Sequence, residues 1–305
     1  MNTPVSTVTV SPVVASTVNA PAISTAGSAV REASHVFPGQ ATQDGAGVKL
    51  TRMLDSRMAQ LADPFLMLDE FRSDSASDYI GGFPAHPHRG FETVTLMFAG
   101  RMRHRDNQGN EGDLGPGSVQ WMTAARGIVH EEMPQQEDGL MWGYQLWLNL
   151  PAAMKMSEPG YQDIDASAIP EVTRADGSRV RVIAGKLDGI VGAVRQRPTE
   201  PILLDVQLPA DAHFDYEVPT GHTVLLHGVA GAMRVGQRAQ ALGPRQLVLL
   251  GPGARVQVQA GPEAAQFLLI AGRPLREPIA HYGPFVMNTQ EELRQAVQDF
   301  QSGKF

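Results

Sequence analysis

The chain has 305 residues, a formal charge of −7, 42% hydrophobic and 19% charged residues, and no cysteine. That length suits one large domain or two smaller ones, each able to bury a core. The lack of cysteine excludes disulfides, thiolate-held metals and iron–sulfur clusters, and the acidic balance argues against nucleic-acid binding, which needs clustered Lys and Arg.

In chain order, residues 1–32 come first. They are rich in Ser, Thr, Val, Ala and Pro, with Arg31 as the first charged residue. They lack the positive start of a signal peptide, so a flexible tail is expected. No apolar run reaches the length of a membrane span. Strand-like runs follow between Gly, Pro, Asn and Asp clusters: "FETVTLMFAG", "RMRHRD", "GSVQWMTA", "MWGYQLWLNL", then "RVRVIAG", "PILLDVQL", "HTVLLHGVAG", "RQLVLLG", "ARVQVQA" and "QFLLIAG". Short β segments separated by turn residues predict β-sandwiches or barrels. "TVTLMFAGRM" (93–102) matches "TVLLHGVAGAM" (223–233), and "LGPGSVQW" (114–121) matches "LGPRQLVL" (242–249), at spacings of about 130 residues. A duplicated barrel accounts for both. The connector "PAAMKMSEPGYQDIDASAIPEV" lacks alternation and predicts a loop with a helical turn. At the C-terminus, Thr289 and Glu292 form a T-x-x-E capping box, Leu293, Val297 and Phe300 share one face, and Gly303 supplies a stop. A helix that packs on a barrel is expected there.

Chemistry concentrates in two short stretches. In "FPAHPHRGF", His86 and His88 lie two apart, so on a strand both face one way. Pro87 favours extended backbone at the residue before it and suits a strand start. In "RGIVHEEMP", His130 and Glu132 repeat that spacing, with Glu131 on the opposite face. Two such strands can offer three imidazoles and one carboxylate, a set that suits Fe(II), Mn, Ni, Cu or Zn. His104 and His222 have no same-spaced partner and are expected to be structural or surface residues; His281 is expected to pack. Phe83, Phe91, Met97, Gln120, Trp121 and Met122 flank the pairs and serve either as cavity lining or as barrel core. Arg89 has three readings: pairing with an acidic neighbour, steering an anionic substrate, or a surface role.

The stretch "GGFPAHPHRGFETVTLMFAGRMRHRDNQGNEGDLGPGSVQWMTAARGIVHEEMP" resembles the signature of the pirin family, a bicupin branch of the cupin superfamily. "LADPFLMLDEF" (61–71), "YQLWLNLPAAMKMSEPGYQDI" (144–164), "RVIAGKLDGIVG" (181–192) and "EPIAHYGPFVMNTQEEL" (277–293) extend the likeness from about residue 33 to the C-terminus. The resemblance implies an all-β fold of two stacked cupin (jelly-roll-like) β-barrels with a C-terminal helix and a flexible N-terminal tail. The expected limits are 1–32 for the tail, 33–165 for a metal-binding barrel, and 166–305 for a second barrel that lacks metal ligands and carries the helix. It further implies one divalent non-haem metal, Fe(II) by preference, held by His86, His88, His130 and Glu132. Many cupins take their carboxylate from a Glu soon after H-x-H, which makes Glu92 the alternative ligand, or a residue that orients one. The implied activity is flavonol 2,3-dioxygenation, as of quercetin, with dioxygen as co-substrate and Glu132 as catalytic base. The alternative is a metal- and redox-dependent regulator acting through a protein partner. A cytoplasmic monomer is expected.

Overall fold

The computed structural model describes residues 29–305; the expected tail, up to residue 28, lies outside the described residues. Each half of the chain builds a seven-stranded and a four-stranded antiparallel sheet. In the first half the large sheet runs, edge to edge, Gly160–Ile164, Val119–Thr123, Phe91–Ala99, Met141–Asn149, Phe65–Ser73, Val48–Leu54 and Gln40–Asp44. The small sheet is Phe83–His88, Ile128–Pro134, Met102–Asp106 and Glu111–Leu114. The second half repeats the pattern. Its large sheet runs Ala33–Pro38, Gln246–Leu250, Thr223–Ala230, Ala265–Gly272, Ile202–Leu208, Arg179–Ala184 and Glu171–Thr173, and its small sheet is His213–Glu217, Arg255–Ala260, Met233–Val235 and Gln240–Leu242. The all-β, two-domain cupin architecture expected from the sequence is therefore present. Its internal repeat maps strand on strand, because Phe91–Ala99 and Thr223–Ala230 hold the same place in their sheets, as do Val119–Thr123 and Gln246–Leu250.

One edge departs from the expected limits and another from the expected loop. Ala33–Pro38, assigned by sequence to the first barrel, pairs with Gln246–Leu250 of the second. Gly160–Ile164, inside the expected loop, pairs with Val119–Thr123 of the first. The segment that leads into each half thus edges the sheet of the other, and both edges gain a partner. Residues 29–32 are equally tied to the second domain: Arg31 is buried and donates to the carbonyls of Gly251, Pro219 and Thr220. The connector has single 3₁₀ turns at Ala152–Met154 and Ala166–Ala168.

Strand alternation decides where the core sits. In Thr223–Ala230, Val224 and Leu226 point into the second barrel, whereas Leu225 and Val229 point out of it. In Ala265–Gly272, Phe267, Leu269 and Ala271 point in, and Leu268 and Ile270 point out. The outward residues do not meet solvent. They pack with Leu54, Phe65, Val94, Leu96, Trp121, Leu146 and Leu148 of the first half in one shared core. Strands buried on both faces read as continuous apolar runs, as "TVLLHGVA" and "AQFLLIAG" do. One polar node interrupts the shared core. The carboxylate of Glu70 accepts from Trp142 Nε1 (2.9 Å), Tyr144 Oη (3.0 Å) and, from the second half, Arg245 Nε (2.8 Å).

Helix α1, Gln290–Gln301, has the predicted capping box, with Thr289 Oγ1 accepting from Glu292 N and Glu292 Oε2 accepting from Thr289 N. It buries Leu293 and Ala296 against a short hairpin, Ala280–Tyr282 with Phe285–Met287. Among the described residues no helix is long and apolar enough to cross a membrane.

The shared core predicts that the two halves unfold together. All three tryptophans, Trp121, Trp142 and Trp147, lie in the first half. Leu225→Ala in the second half is expected to cost about 2–5 kcal/mol, the usual range for a buried Leu→Ala change. The loss should appear as a lower urea midpoint in tryptophan fluorescence. An unchanged midpoint, alongside a shifted one in far-UV circular dichroism, would show that the halves unfold independently.

Candidate metal centre

The site is built on the edge of the first small sheet. Phe83–His88 is its outermost strand, so Pro87, which has no N–H to give, costs no ladder bond on the open side. The neighbouring strand, Ile128–Pro134, pairs His130 directly with His86 and Ile128 with His88. A register shift between His130 and Glu132 sets Glu132 opposite Phe83. Such a bulge bends the strand and re-aims the side chain beyond it.

Ligand atoms of His86, His88 and His130 lie within 4.8 Å of one another. The ring centroids are 4.5–5.0 Å apart. His86 Nδ1 lies 2.9 Å from the Pro84 carbonyl, a contact that requires Nδ1 to donate. With Nδ1 donating, Nε2 is the ring nitrogen that faces His88 Nε2, 3.1 Å away. His130 is 1% exposed, and neither of its ring nitrogens has a hydrogen-bond partner among the described residues. An unpartnered buried polar atom costs about 1–3 kcal/mol. Burial pushes the His88 and His130 imidazoles well below their ordinary pKa, and the neighbouring histidines lower them further. Rings held unprotonated at His88 and His130, with His86 Nε2 beside them, fit a divalent cation, since ligation requires the unprotonated imidazole.

Glu132, fourth of the predicted set, is not within that group of three. It is 2% exposed and lines the same cavity. Thr95 Oγ1 donates to its Oε1 (3.2 Å), and Gln145 Nε2 donates to Oε2 (2.9 Å) and Oε1 (3.1 Å). Trp147 Nε1 donates to Gln145 Oε1 at 3.0 Å and so sets which end of the amide faces the carboxylate. The Trp147 ring also stands edge-on to His88, with centroids 5.1 Å apart.

Glu92 falls on the other face of its strand, with Val94 and Leu96, which lie in the core shared with the second half. Thr123 Oγ1 donates to its carboxylate at 2.7 Å, and Arg197 of the second half stands 3.6 Å away. Burial pushes its pKa up, partly offset by Arg197. The period of two therefore removes Glu92 from the cavity as ligand and as orienter.

The cavity measures about 530 Å3, and its lining includes His86, His88, Asp44, Arg52 and Asp55. Of the six flanking residues named from sequence, Phe83 lines it. Phe91 packs behind His88, Met97 and Met122 are buried in separate apolar clusters, and Trp121 belongs to the shared core. Gln120 bonds His104 and Asp163. His104 is buried, as is His222, whose Nε2 bonds the Glu200 carbonyl. Sequence reasoning missed Trp147, Gln145, Met102 and the Arg52–Asp69 pair, all of which line the cavity. The alternation of "MWGYQLWLN" carries a signal for Gln145 and Trp147, which fall on the face opposite Leu146 and Leu148. His281, expected to pack, is also in the wall.

The second half shows what the same positions look like without imidazole or carboxylate. Phe214 pairs with Val258 and Tyr216 with Val256, and all four are buried in its apolar core.

The Pirin family model matches residues 47–148, and the model of the Pirin C-terminal cupin domain matches residues 203–305. The chain belongs to the pirin family. This pirin is 50% identical over 277 residues to a pirin-like protein of Caulobacter vibrioides, across 90% of this chain and 99% of the relative. It is 42% identical to human pirin over 265 residues, 86% of this chain and 89% of that one. A crystal structure of quercetin 2,3-dioxygenase from Acinetobacter baumannii matches with a TM-score of 0.85 at 36% identity, covering 91% of this pirin and 99% of that chain.

Neutral buried imidazoles make the metal-free pirin sensitive to acid. Below about pH 6.5 the unfolded chain's histidines take up protons that folded His88 and His130 refuse. The unfolded state then binds more protons, so stability falls as pH drops below that value and is level above it. His130→Gln removes one histidine's share, up to about 1.4 kcal/mol per pH unit. Urea titrations at pH 7.5 and pH 5.5 are expected to give a smaller difference in the variant. Equal differences would refute the neutral state.

Proposed function

We propose that this pirin is a mononuclear non-haem metal dioxygenase that cleaves a flavonol such as quercetin with dioxygen, its metal held by His86, His88, His130 and Glu132. The observation that carries this reading is the convergence of three imidazoles, those of His88 and His130 buried, beside a cavity of about 530 Å3 whose wall carries His86, His88 and the anchored carboxylate of Glu132. Bound there, a divalent metal would supply Lewis acidity toward a ligated hydroxyl and, for every candidate but Zn, a redox-active centre; three nitrogens and one oxygen suit Fe(II), and also Cu, Ni, Mn or Zn. The likeness to the Acinetobacter enzyme supports flavonols as the substrate class.

The chain's own residues do the rest. Leu50, Phe71, Phe83, Met102 and Trp147 give the cavity flat, apolar walls that accept an aromatic ring system and exclude water. Glu132 takes the proton of the substrate's 3-hydroxyl. Its two oxygens differ in their surroundings: Oε1 accepts from both Thr95 and Gln145, whereas Oε2 accepts from Gln145 alone and has more capacity for that proton. Gln145 cannot flip without losing the Trp147 bond, so the carboxylate keeps its aim. A cytoplasmic monomer is part of the same reading.

The test is quercetin cleavage under air and under nitrogen, with metal content measured on the same samples. Loss of the flavonol absorption band is expected in air alone, abolished by a chelator and restored by Fe(II). Glu132→Gln should lower turnover per bound metal by about 10²–10⁴. Wild-type cleavage by a His86→Ala/His88→Ala protein, or intact quercetin with metal-loaded protein in air, would refute the reading.

A further inference from the structure

The strand that bears His86 ends on His88, and the chain that fixes this end comes from the far C-terminus. Arg89 follows His88 and is 3% exposed. Its N–H donates to the Pro284 carbonyl (3.2 Å), and its own carbonyl accepts from Val286 N–H (3.0 Å). Its guanidinium donates through Nε to the Arg126 carbonyl and through Nη1 to Asp299 Oδ2 at 2.8 Å, with the Phe305 ring 4.2 Å below. Gly90 has φ 91°, and a Cβ there would stand 1.9 Å from the Val286 carbonyl oxygen, so the C-terminal segment lies directly on the turn. Buried Lys155 ties the two, donating to the carbonyls of Gly90 (2.6 Å) and Val286 (2.9 Å).

The same segment reaches the second ligand strand. The Phe305 carbonyl accepts from Asn107 Nδ2 at 2.8 Å, and Asn107 in turn exchanges bonds with the backbone of Val129, next to His130. Asp299 is itself fixed, its Oδ1 accepting from Gln295 Nε2 at 2.9 Å and lying 3.4 Å from Lys304 Nζ. A helix whose only task was to cover apolar surface would need Leu293 and Ala296 but no ion pair with the residue beside a ligand.

We propose that Asp299, acting through Arg89, is a positioning residue for His88, which makes the C-terminal helix part of the metal-binding apparatus. This rests on His88 being a metal ligand, as assigned above. Without the carboxylate, the buried Arg89 guanidinium loses its counter-charge and seeks other acceptors, and it carries the 88–90 turn with it. Ligands must hold their geometry closely, and loss of a group that orients one typically costs about 10–100-fold in metal affinity.

The experiment uses the full-length protein and Co(II) as probe, with affinity read by competition against a chromophoric chelator and geometry by the visible ligand-field bands. Asp299→Asn is expected to bind Co(II) at least about tenfold more weakly than wild type and with altered bands. Asp299→Glu, which keeps the charge, should recover most of both. Removal of Phe305 alone leaves the ion pair and should give a smaller loss in the same direction; it decides the matter if Asp299→Asn does not fold. The control is Asp205→Asn, which alters a buried carboxylate of the second half held by Gln266. It should lower the unfolding temperature yet leave Co(II) affinity within about twofold, because it lies outside the orienting shell. A folded Asp299→Asn protein, or one lacking Phe305, with wild-type affinity and bands overturns the proposal. If His88→Ala binds Co(II) as tightly as wild type, the metal-ligand assignment has failed instead, and this proposal with it.

Discussion

The strands of the first large sheet have to serve two interiors of opposite character, and the period of two is what lets them. In Phe91–Ala99, Val94 and Leu96 face the hydrocarbon core shared with the second half, while Thr93, Thr95 and Met97 face the other way. In Met141–Asn149, Leu146 and Leu148 share the first direction and Gln145 and Trp147 the second. A one-residue slip would put Thr95 and Gln145 into hydrocarbon and leave Glu132 without its donors. Cohesion between the halves and polarity of the cavity are thus written on opposite faces of the same strands.

The duplication makes the cost of the cavity visible. The second barrel fills its interior with Phe214, Tyr216, Val256, Val258 and Phe267, a packing that stabilises by hydrocarbon burial. The first places imidazoles, a carboxylate and a glutamine beside a smaller apolar cluster that includes Leu50, Phe71, Met97 and Met102. To that cluster the shared core adds apolar burial from both halves. In this arrangement the second barrel supports the first by offering Leu225, Leu247, Leu249, Leu268 and Ile270 as a rigid apolar wall.

What the sequence disclosed follows from the range of the interactions involved. H-x-H and H-x-E are local spacings, and strand geometry turns each into a same-face pair without reference to the rest of the chain. The repeat was legible for the same reason, since corresponding strands keep their turn residues. Glu92 shows the limit of a motif carried over without its parity: its strand also holds Val94 and Leu96, and that face is spoken for. The pairing of Ala33–Pro38 with the second half's sheet was not legible, because an edge strand's partner is chosen by tertiary proximity. Trp147 and Gln145 lay in a run that reads as plain core until one knows which face meets the cavity. The capping box announced the C-terminal helix, but nothing local says that Asp299 meets Arg89, 210 residues away.

The site is therefore held from two directions by chain segments that meet only in the folded state. From inside the barrel, Thr95, Gln145 and Trp147 fix Glu132 by hydrogen bonds that run across the sheet. From outside, the C-terminal segment fixes the turn after His88 through Arg89, Gly90 and Lys155, and places His281 in the cavity wall. The first set anchors the carboxylate; the second anchors the turn after His88. A deformation of the first barrel alone would disturb the first set, whereas a displacement of the segment that ends the second half would disturb the second. That segment also supplies His281, Gly283 and Pro284 to the cavity wall, so the pocket beside His86 and His88 is complete only where both halves are present.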